Sequence, residues 1–568
     1  MSFWYRLEKT AAKNGNRIAL VFHDEQITYN ELLAKANNYA YELSCRGIEK
    51  DDVVCIVGRR SIEIFACILG ILQVGAVFLL IDSEEEQTKI EFRIKNSESR
   101  YVFVEQNYQK SDSTPAIIRL KDVFNGTYPI VKHVEQSSED TMYIAYTSGS
   151  TSQEKAVMVS YGNMENYIDA FISVFEICDT DINVQQTPLG YDGLCEELFS
   201  MIFTGGKLLL LDKRILKNPR LLHKELIKNG VTLLATTPIV LNELNRLPPV
   251  ETIKKYISCA DTLKKYHYSN LIEHAQIYNT YGPTETTVCA TYYLCNAEDD
   301  MFTPIGKPFP FYDILVVTEE FCPVEQGQSG EILIGGKGVS KCYYNDEELT
   351  NEKYIYINGE RMFRTGDYGY YDSSGMLRFE GRRDSIEKLK GIKIDCSKIE
   401  NTLVSTGQVS AAIAHVCSDK NNSFLCVFYV PIDKTVKEES LKDSLKERFL
   451  AEHFPQVFIS IESIPQKAIG KVDYAELEKI YFERRIVNNI TGKDLTDFLK
   501  VFKNVLGKEA ISIKNTIRDV GIDSISFIQI VVKLEEMYGF DFDDDMLSHT
   551  DYETIEQVYT YVQKKTNK

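Results

Sequence analysis

Hydroxyl, glycine and lysine residues are concentrated in one ten-residue stretch of this chain. Tyr146-Thr-Ser-Gly-Ser-Thr-Ser-Gln-Glu-Lys155 follows directly on an apolar, strand-like segment, Met142 to Ala145. A loop of this composition that leaves a strand presents backbone N–H groups, hydroxyl donors and an ammonium to one anionic group, and polyphosphate is the usual one. Ordinary surface turns share the composition, and the ending of a Walker loop is missing. The stretch therefore needs support from other motifs.

Four further motifs combine glycine with charged or hydroxyl residues: Tyr281-Gly-Pro-Thr-Glu285, Arg364-Thr-Gly-Asp367, Gly381-Arg-Arg-Asp384 and Gly470-Lys-Val-Asp473. Each alone is compatible with a tight turn. Near the C-terminus, Ser524 precedes apolar positions at helical spacing, so we expect it at a helix N-terminus, where N–H groups and the helix dipole favour a phosphodiester. Asp523 and Ser524 are also ordinary capping residues, and capping is compatible with that role.

The elements that must position these motifs fall into several units, because 568 residues are too many for one core. Up to about residue 380, β-rich runs such as Asp52 to Val57, Tyr101 to Val104 and Lys207 to Leu211 alternate with helical stretches. This alternation predicts an α/β fold in which parallel sheets are covered by helices. We expect a large α/β subdomain over 1–380, a small mobile α+β subdomain over 381–482, a polar linker over 483–494 and an all-α, four-helix domain over 495–568.

Charge and composition exclude several classes of protein. A net charge of −19 argues against nucleic acid or an anionic membrane as the main partner. Thirteen cysteines without a C-x-x-C pair, and an N-terminus without signal-peptide order, predict a reducing, cytoplasmic location. The apolar run from Phe65 to Ile81 is shorter than a membrane span of about 20 residues. It is better read as a buried helix, a turn at Gly75 and a buried strand.

The five glycine-containing motifs, in this order, resemble those of the acyl-adenylate-forming superfamily, and specifically the adenylation domains of non-ribosomal peptide synthetases. The resemblance covers about residues 20 to 480 and includes Ile27-Thr-Tyr-Asn-Glu-Leu32, Leu72-Gln-Val-Gly-Ala76 and Gly330-Glu-Ile-Leu-Ile-Gly335. The segment around Ser524 resembles the phosphopantetheine site of peptidyl carrier proteins. The resemblance implies an ATP-dependent ligase that needs Mg²⁺ and carries 4′-phosphopantetheine on Ser524.

Residue roles follow from the resemblance alone. It implies that the β- and γ-phosphates of ATP contact Thr147, Ser148, Gly149, Ser150, Thr151 and Lys155. Thr284 would meet the α-phosphate, Glu285 would carry Mg²⁺, Asp367 would accept the ribose hydroxyls with Arg382 nearby, and Tyr281 and Phe379 would flank adenine. Lys471 would bridge the substrate carboxylate and the ribose side, and Asp384 would be the hinge. A solvated turn lysine is the alternative reading of Lys471.

The first loop departs from the family pattern. Ser152, Glu154 and Ala156 stand at its glycine, proline and glycine positions, and Tyr161 stands at a family histidine. A carboxylate beside a triphosphate is unfavourable unless it points to solvent. Slow turnover, or an inactive domain that only presents the carrier, is therefore an alternative.

The residues that would select the substrate include two carboxylates. Asp192 resembles the family aspartate that pairs with a substrate α-ammonium, and Glu196 lies one helical turn further on. Two such carboxylates repel each other unless cations compensate them, so an amino acid with a distal ammonium is expected. The other expected lining residues are Gly193, Ala235, Ile257, Cys259, Thr280, Val288 and Cys289. For Glu196 a solvated helix position, and for both cysteines a simple core role, are the alternatives.

The expected activity is that of an amino acid:carrier-protein ligase, with a basic substrate such as lysine or ornithine. A phosphopantetheinyl transferase and a downstream condensation or acyl-accepting enzyme acting in trans are the expected partners, because this sequence has no room for condensation or thioesterase domains. A CoA or aryl-acid ligase with an incidental carrier is the rival enzyme, and a non-catalytic scaffold is the rival from another class.

Overall fold

The fold is taken from a computed structural model of the chain. It describes residues 3–105, 115–148, 154–382, 386–389, 392–418, 423–433, 436–446, 454–466, 472–489, 493–508, 511–538, 540, 542–543 and 552–566. Gly149, Ser150, Thr151, Asp384 and Lys471 lie outside these residues, so the roles predicted for them stay predictions.

Helices and strands alternate in the first 174 residues. The helices are α1 (Phe3–Asn14), α2 (Tyr29–Cys45), α3 (Ile62–Gln73), α4 (Gln87–Asn96), α5 (Leu120–Phe124) and α6 (Tyr161–Val174). The strands are β1 (Ile18–Phe22), β2 (Glu25–Thr28), β3 (Val53–Gly58), β4 (Val77–Asp82), β5 (Tyr101–Val104), β6 (Ala116–Arg119), β7 (Thr141–Ser148) and β8 (Glu154–Ser160).

The alternation continues to residue 294. The strands are β9 (Ile182–Gln185), β10 (Lys207–Leu210), β11 (Leu233–Thr236), β12 (Lys255–Ser258), β13 (Gln276–Tyr281) and β14 (Thr291–Leu294). The helices are α7 (Gly193–Thr204), α8 (Lys213–Leu216), α9 (Pro219–Lys228) and α10 (Pro238–Asn245), with short 3₁₀ turns at Lys265–His267, Leu271–Glu273 and Thr284–Thr286.

Strands dominate from residue 307 to residue 382. They are β15 (Lys307–Pro308), β16 (Tyr312–Val317), β17 (Gly330–Gly336), β18 (Cys342–Tyr343), β19 (Tyr354–Ile357), β20 (Glu360–Tyr371) and β21 (Leu377–Arg382), with the helix α11 (Glu347–Lys353) between β18 and β19.

The smaller units follow. Residues 386–489 form β22 (Ile386–Leu389), β23 (Ile392–Asp395), α12 (Cys396–Ser405), β24 (Val409–Ser418), β25 (Ser423–Pro431), α13 (Glu438–Lys446), β26 (Val457–Ser460) and α14 (Tyr474–Asn489). The described part of the C-terminal segment holds α15 (Lys493–Leu506), α16 (Ser524–Tyr538) and α17 (Ile555–Thr566).

Three sheets carry the predicted nucleotide and substrate residues. The largest has the strand order β18-β8-β7-β4-β3-β5-β6. Its strands β7, β4, β3, β5 and β6 run parallel, β8 pairs antiparallel with β7, and β18 pairs antiparallel with β8. A second sheet, β11-β12-β13-β14-β15, is parallel over its first three strands. A third, β16-β17-β20-β19 with β21 on β20, is antiparallel throughout.

The α/β fold is thus confirmed, but helix-covered parallel sheets do not extend to residue 380. The strands β16 and β17 are joined by twelve residues whose described structure contains no helix, and β20 and β21 by five. Such connections suit antiparallel neighbours, whereas a parallel crossover needs a dozen or more residues and usually a helix.

The apolar run Phe65 to Ile81 folds as predicted. It forms most of α3, a turn at Gly75 with φ +76° and most of β4. A Cβ on Gly70 would lie 2.5 Å from the carbonyl oxygen of Ala36, so this glycine lets α3 pack closely on α2. Within the described part of the chain, no helix has both the length and the apolar character needed to cross a membrane.

The predicted linker, 483–494, contains the end of one helix and the start of the next. Helix α14 continues through Asn489 and α15 begins at Lys493. The boundaries between the units stay predictions.

Candidate active site

The hairpin of β7 and β8 carries the ends of the hydroxyl-rich loop. Thr147 lies opposite Lys155, and Ser148 lies opposite Glu154. Side chains alternate between the two faces of a strand, and cross-strand partners share a face. Thr147 and Lys155 therefore face one side of the hairpin, while Glu154 faces the other side together with Tyr146 and Ala156.

Lys155 lies in a corner that also contains the predicted Mg²⁺ ligand. Its Nζ is 5.8 Å from the centre of the Tyr343 ring, and the Tyr343 hydroxyl donates to Glu285 Oε1 at 2.6 Å. Glu285 belongs to the short 3₁₀ turn after β13, next to Thr284. The fold thus brings Lys155 and Glu285 to one corner from segments 130 residues apart.

Glu154 does not point to solvent, contrary to the condition set from the sequence. Its two carboxylate oxygens accept from Arg93 Nε at 2.8 Å and Nη2 at 2.7 Å. Arg93 lies on α4, and its side chain is only 10% exposed. The carboxylate that the sequence placed beside the phosphates is therefore neutralised by a buried guanidinium, on the face opposite Lys155.

Asp192 is a buried carboxylate at the start of α7. It is 9% exposed and accepts a hydrogen bond from the Val288 backbone N–H at 3.2 Å, and the Thr284 side chain lies near the same carboxylate. Burial raises the pKa of Asp192 to about 6, although Val288 and Thr284 oppose the rise. Through Thr284, this carboxylate adjoins the corner that contains Glu285.

Glu196 and Glu197 are both buried, at 6% and 1% exposure, but only one is fully satisfied. Glu197 accepts from the backbone N–H groups of Gln186 and Thr187 at 3.0 and 2.9 Å, and from the side chains of Thr187 and Gln185. Glu196 accepts from the Tyr167 hydroxyl, and burial raises its pKa well above the usual range. The predicted solvated alternative for Glu196 is therefore wrong.

Three neighbouring parallel strands supply most of the remaining lining. Ala235 pairs with Ile257 and Ile257 with Tyr278, so Ala235, Ile257, Cys259 and Thr280 share one face of the sheet. Val288 and Cys289 come from the following loop, where Val288 has φ +64°. The two thiols lie together, with 3.2 Å between Cys259 Sγ and Cys289 Sγ. Their hydrogen bond lowers the pKa of Cys259 and raises that of Cys289.

The predicted ribose and adenine residues meet at β20 and β21. Asp367 and Arg382 are cross-strand partners with Oδ1 and Nη1 3.3 Å apart, and Asp367 Oδ2 accepts from the Tyr281 hydroxyl at 2.5 Å. The Tyr281 and Phe379 ring centres are 6.0 Å apart at 43°. A planar base between them needs about 7 Å, which is two carbon contacts of about 3.5 Å each. If adenine binds between them, as the resemblance implies, the two rings must move apart.

Ser524 is exposed at the first residue of α16, as predicted. Asp523 provides the cap, since its Oδ1 accepts from the Ser526 backbone N–H at 2.8 Å. An exposed hydroxyl at the N-terminus of a 15-residue helix fits a phosphodiester-linked arm.

The described residues contain no group of three or more His, Cys, Asp or Glu side chains that could hold a metal ion. A single carboxylate, Glu285, fits Mg²⁺, because this ion keeps several waters and phosphate oxygens as its other ligands.

Sequence reasoning missed three contact residues: Arg93, Tyr167 and Tyr343. None belongs to a motif, and each reaches its partner from at least 29 residues away. Only the unexplained charge of Glu154, which requires a counter-ion, gave a signal for one of them.

Two family models match the chain. The model of AMP-binding enzymes matches residues 7–344, and that of the phosphopantetheine attachment site matches residues 497–562. Bacitracin synthase 2 of Bacillus licheniformis is 30% identical over 98% of this chain and 22% of its own length. Tyrocidine synthase 1 of Brevibacillus parabrevis is 26% identical over 99% of this chain and 52% of its own. The chain thus spans from about a fifth to about half of these two relatives.

Solved structures show the same fold. NpsA of Klebsiella oxytoca, in complex with 3-hydroxyanthranilyl-AMSN, has a TM-score of 0.74 at 22% identity and covers 84% of this chain and 99% of its own. The four-domain non-ribosomal peptide synthetase AB3403, bound to AMP and glycine, has a TM-score of 0.72 at 20% identity, over 100% of this chain and 43% of its own.

Proposed function

Because the chain belongs to the family of AMP-binding enzymes and carries a phosphopantetheine attachment domain, we propose that it activates an amino acid with ATP and transfers it to the arm on Ser524. In the first step the substrate carboxylate attacks the α-phosphorus of ATP and pyrophosphate leaves. In the second step the aminoacyl group passes to a thiol and AMP leaves. The arm supplies that thiol and holds the product as a thioester.

The observation that carries the proposal is the position of Asp192. Its buried carboxylate shares Thr284 with the corner of Lys155 and Glu285, so a substrate ammonium at Asp192 would present its carboxylate near the nucleotide. Within the described residues Asp192 has no ion-pair partner. Burial removes water from its carboxylate, and no cation among these residues replaces that solvation. A substrate α-ammonium would supply the missing cation, which favours an amino acid over a fatty or aryl acid.

The remaining roles complete the assignment. The phosphates would be held by Thr147, Ser148, Gly149, Ser150, Thr151 and Lys155, and Glu285 would hold Mg²⁺, which neutralises phosphate charge. Asp367 and Arg382 would receive the ribose once the Tyr281 hydroxyl moves away. Lys471 would contact the reacting carboxylate from the small subdomain, with Asp384 as the hinge between the two reactions.

Glu196 supports a basic side chain in the substrate. Its carboxylate is buried and contacts only one donor among the described residues, the Tyr167 hydroxyl. A distal ammonium would compensate the second carboxylate as the α-ammonium compensates the first. The small and apolar lining of Ala235, Ile257 and Val288 leaves the extended stem of lysine or ornithine in apolar surroundings.

ATP–pyrophosphate exchange across lysine, ornithine, β-lysine and neutral amino acids tests this proposal. Wild-type protein should favour the basic substrates, and Glu196→Gln should lower that preference at least about tenfold, because a desolvated ion pair is lost. Glu197→Gln is the matched control and should keep the ranking, since Glu197 contacts protein groups.

Three kinds of result would contradict the proposal. Exchange confined to neutral amino acids, or an unchanged ranking in Glu196→Gln, would refute basic specificity. Acyl transfer to free CoA that persists in Ser524→Ala, without acylation of the wild-type carrier, would favour a CoA ligase. Absence of exchange with every amino acid, together with no effect of Lys471→Ala, would favour a scaffold.

A further inference from the structure

Both ends of the hydroxyl-rich loop contact a single helix, α4. The face of the β7–β8 hairpin that bears Tyr146 and Ala156 packs with Ile90 and Ile94 of α4 in one apolar cluster. Glu154 lies on this same face, one cross-strand position beyond Ala156. The opposite face presents Thr147 and Lys155. The contacts of α4 with one face of the hairpin therefore determine where Thr147 and Lys155 lie on the opposite face.

Arg93 binds the end of the loop that enters β8. Its guanidinium makes a two-pronged contact with Glu154, at 2.8 and 2.7 Å, and its third nitrogen donates to Glu85 at 2.9 Å. Burial opposes the charge of the guanidinium, but the two carboxylates more than offset this and raise the pKa of Arg93 further. Planar two-pronged pairs fix geometry as well as charge, which a lysine ammonium does not do.

The same residue also contacts the end of the loop that leaves β7. The Tyr146 hydroxyl donates to the Arg93 carbonyl oxygen at 3.4 Å and accepts from Asn96 Nδ2 at 2.9 Å. The Arg93 guanidinium lies 5.5 Å from the centre of the Tyr146 ring. One helical turn of α4 thus contacts Tyr146, which precedes the loop, and Glu154, which follows it.

We propose that Arg93 is a positioning residue for the phosphate loop. By joining Glu154 and Tyr146 through α4, it fixes the two ends of the loop relative to each other. Thr147 and Lys155, on the other face, are thereby preset for the β- and γ-phosphates. The proposal rests on the function proposed above only in the identity of that ligand.

Replacement of Arg93 has two separable effects. Arg93→Met leaves a half-buried Glu154 carboxylate without its cation, and it also releases the geometry of the loop ends. Arg93→Met/Glu154→Gln removes the unpaired charge and leaves only the loss of geometry. Arg93→Lys keeps the charge and loses the two-pronged contact, so it serves if the methionine variant folds poorly.

Equilibrium binding of ATP and of AMP distinguishes a positioned loop from general stability. In Arg93→Met the Kd for ATP should rise about tenfold or more, because small displacements of contact groups have large effects. The Kd for AMP, which lacks the β- and γ-phosphates, should stay unchanged. Arg93→Met/Glu154→Gln should recover only part of the ATP affinity. Arg100→Met, which breaks an exposed pair with Asp52, should change neither constant.

Amide hydrogen exchange at Tyr146–Ser148 and Glu154–Ala156 tests the proposal without any nucleotide. These amides should exchange faster in Arg93→Met and Arg93→Lys than in wild type and Arg100→Met. This measurement decides the matter even in a protein that does not adenylate, so failure of the proposed function stays distinguishable. Unchanged exchange at these amides, equal losses of ATP and AMP binding, or complete recovery in the double variant would overturn a positioning role.

Discussion

At the level of single residues, the buried carboxylates of Asp192, Glu196 and Glu197, in and directly before α7, differ in the hydrogen-bond donors that the protein supplies to them. Glu197 accepts four hydrogen bonds from Gln185, Gln186 and Thr187, and thereby ties the segment before α7 to the helix. Asp192 and Glu196 have fewer donors and no cation among the described residues. A carboxylate that the protein buries without compensation is better explained by a ligand than by stability.

Asp192→Asn should therefore separate stability from activity. Its carboxyl pKa rises from 3.8 to about 6, which corresponds to about 3 kcal/mol at most of destabilisation by the ionised form near pH 8. The neutral amide should raise the thermal unfolding midpoint of the ligand-free protein and abolish amino-acid-dependent exchange. A lower midpoint for Asp192→Asn would contradict this assignment.

The pH dependence of substrate binding follows from the same group. Because the folded-state pKa of Asp192 is raised, its proton is lost only as pH rises through about 6. The KM for the amino acid should fall as pH rises through this value and level off above it, since only the carboxylate pairs with the α-ammonium. A KM that is flat between pH 5 and 8 would mean that Asp192 does not bind the ammonium.

Motif residues could be predicted from the sequence, but their partners could not. Asp367 and Arg382 lie in separate motifs, and the fold pairs them as expected. Arg93, Tyr167 and Tyr343 each stand in an unremarkable sequence context and reach the site only through tertiary packing. The outcome for Glu154 was therefore misjudged, because its neutralising arginine is 61 residues away.

At the level of secondary-structure elements, β20 and β21 bring together the residues that we propose for binding ribose and adenine. The Tyr281 hydroxyl donates a hydrogen bond to Asp367 Oδ2 at 2.5 Å. The Tyr281 and Phe379 rings are too close together for a nucleotide base to fit between them. Tyr281→Phe should lower the KM for ATP by up to about tenfold, because a charged hydrogen bond of about 1.5 kcal/mol no longer competes with ribose. Asp367→Asn is the comparison and should raise that KM. A raised KM in both variants would show that the hydroxyl assists nucleotide binding.

At the N-terminus of α16, capping and attachment are assigned to two neighbouring residues, Asp523 and Ser524. Asp523→Ala should lower the stability of the carrier segment by about 1 kcal/mol, because it removes the cap that Ser526 donates to. Ser524→Ala should abolish attachment of the arm, measured by mass spectrometry after incubation with a phosphopantetheinyl transferase and CoA. Attachment in Ser524→Ala would place the arm elsewhere.

Elements with strong periodicity were predictable, whereas connections were not. The helix–turn–strand prediction for Phe65 to Ile81 rests on a dense apolar pattern, and it is confirmed. The antiparallel sheet from Tyr312 to Arg382 was missed because alternation within a strand does not reveal the direction of its neighbour.

At the level of the whole molecule, the two family matches lie in separate parts of one chain. The AMP-binding match ends at residue 344, and the attachment match begins at residue 497. We propose that the region between them, with Asp384 and Lys471, moves so that one nucleotide site serves both reactions. We also propose that a separate enzyme accepts the acyl group from the arm on Ser524.

Intact-protein mass spectrometry of the phosphopantetheinylated chain, after incubation with ATP, Mg²⁺ and a panel of amino acids, shows whether the protein loads an amino acid onto its own carrier segment. We expect a mass increase of one basic aminoacyl group, located on the peptide that contains Ser524. This increase should be absent in Ser524→Ala and in Asp192→Asn. A wild-type protein whose carrier stays unacylated with every amino acid, while acyl-CoA accumulates or no ATP is consumed, would contradict it.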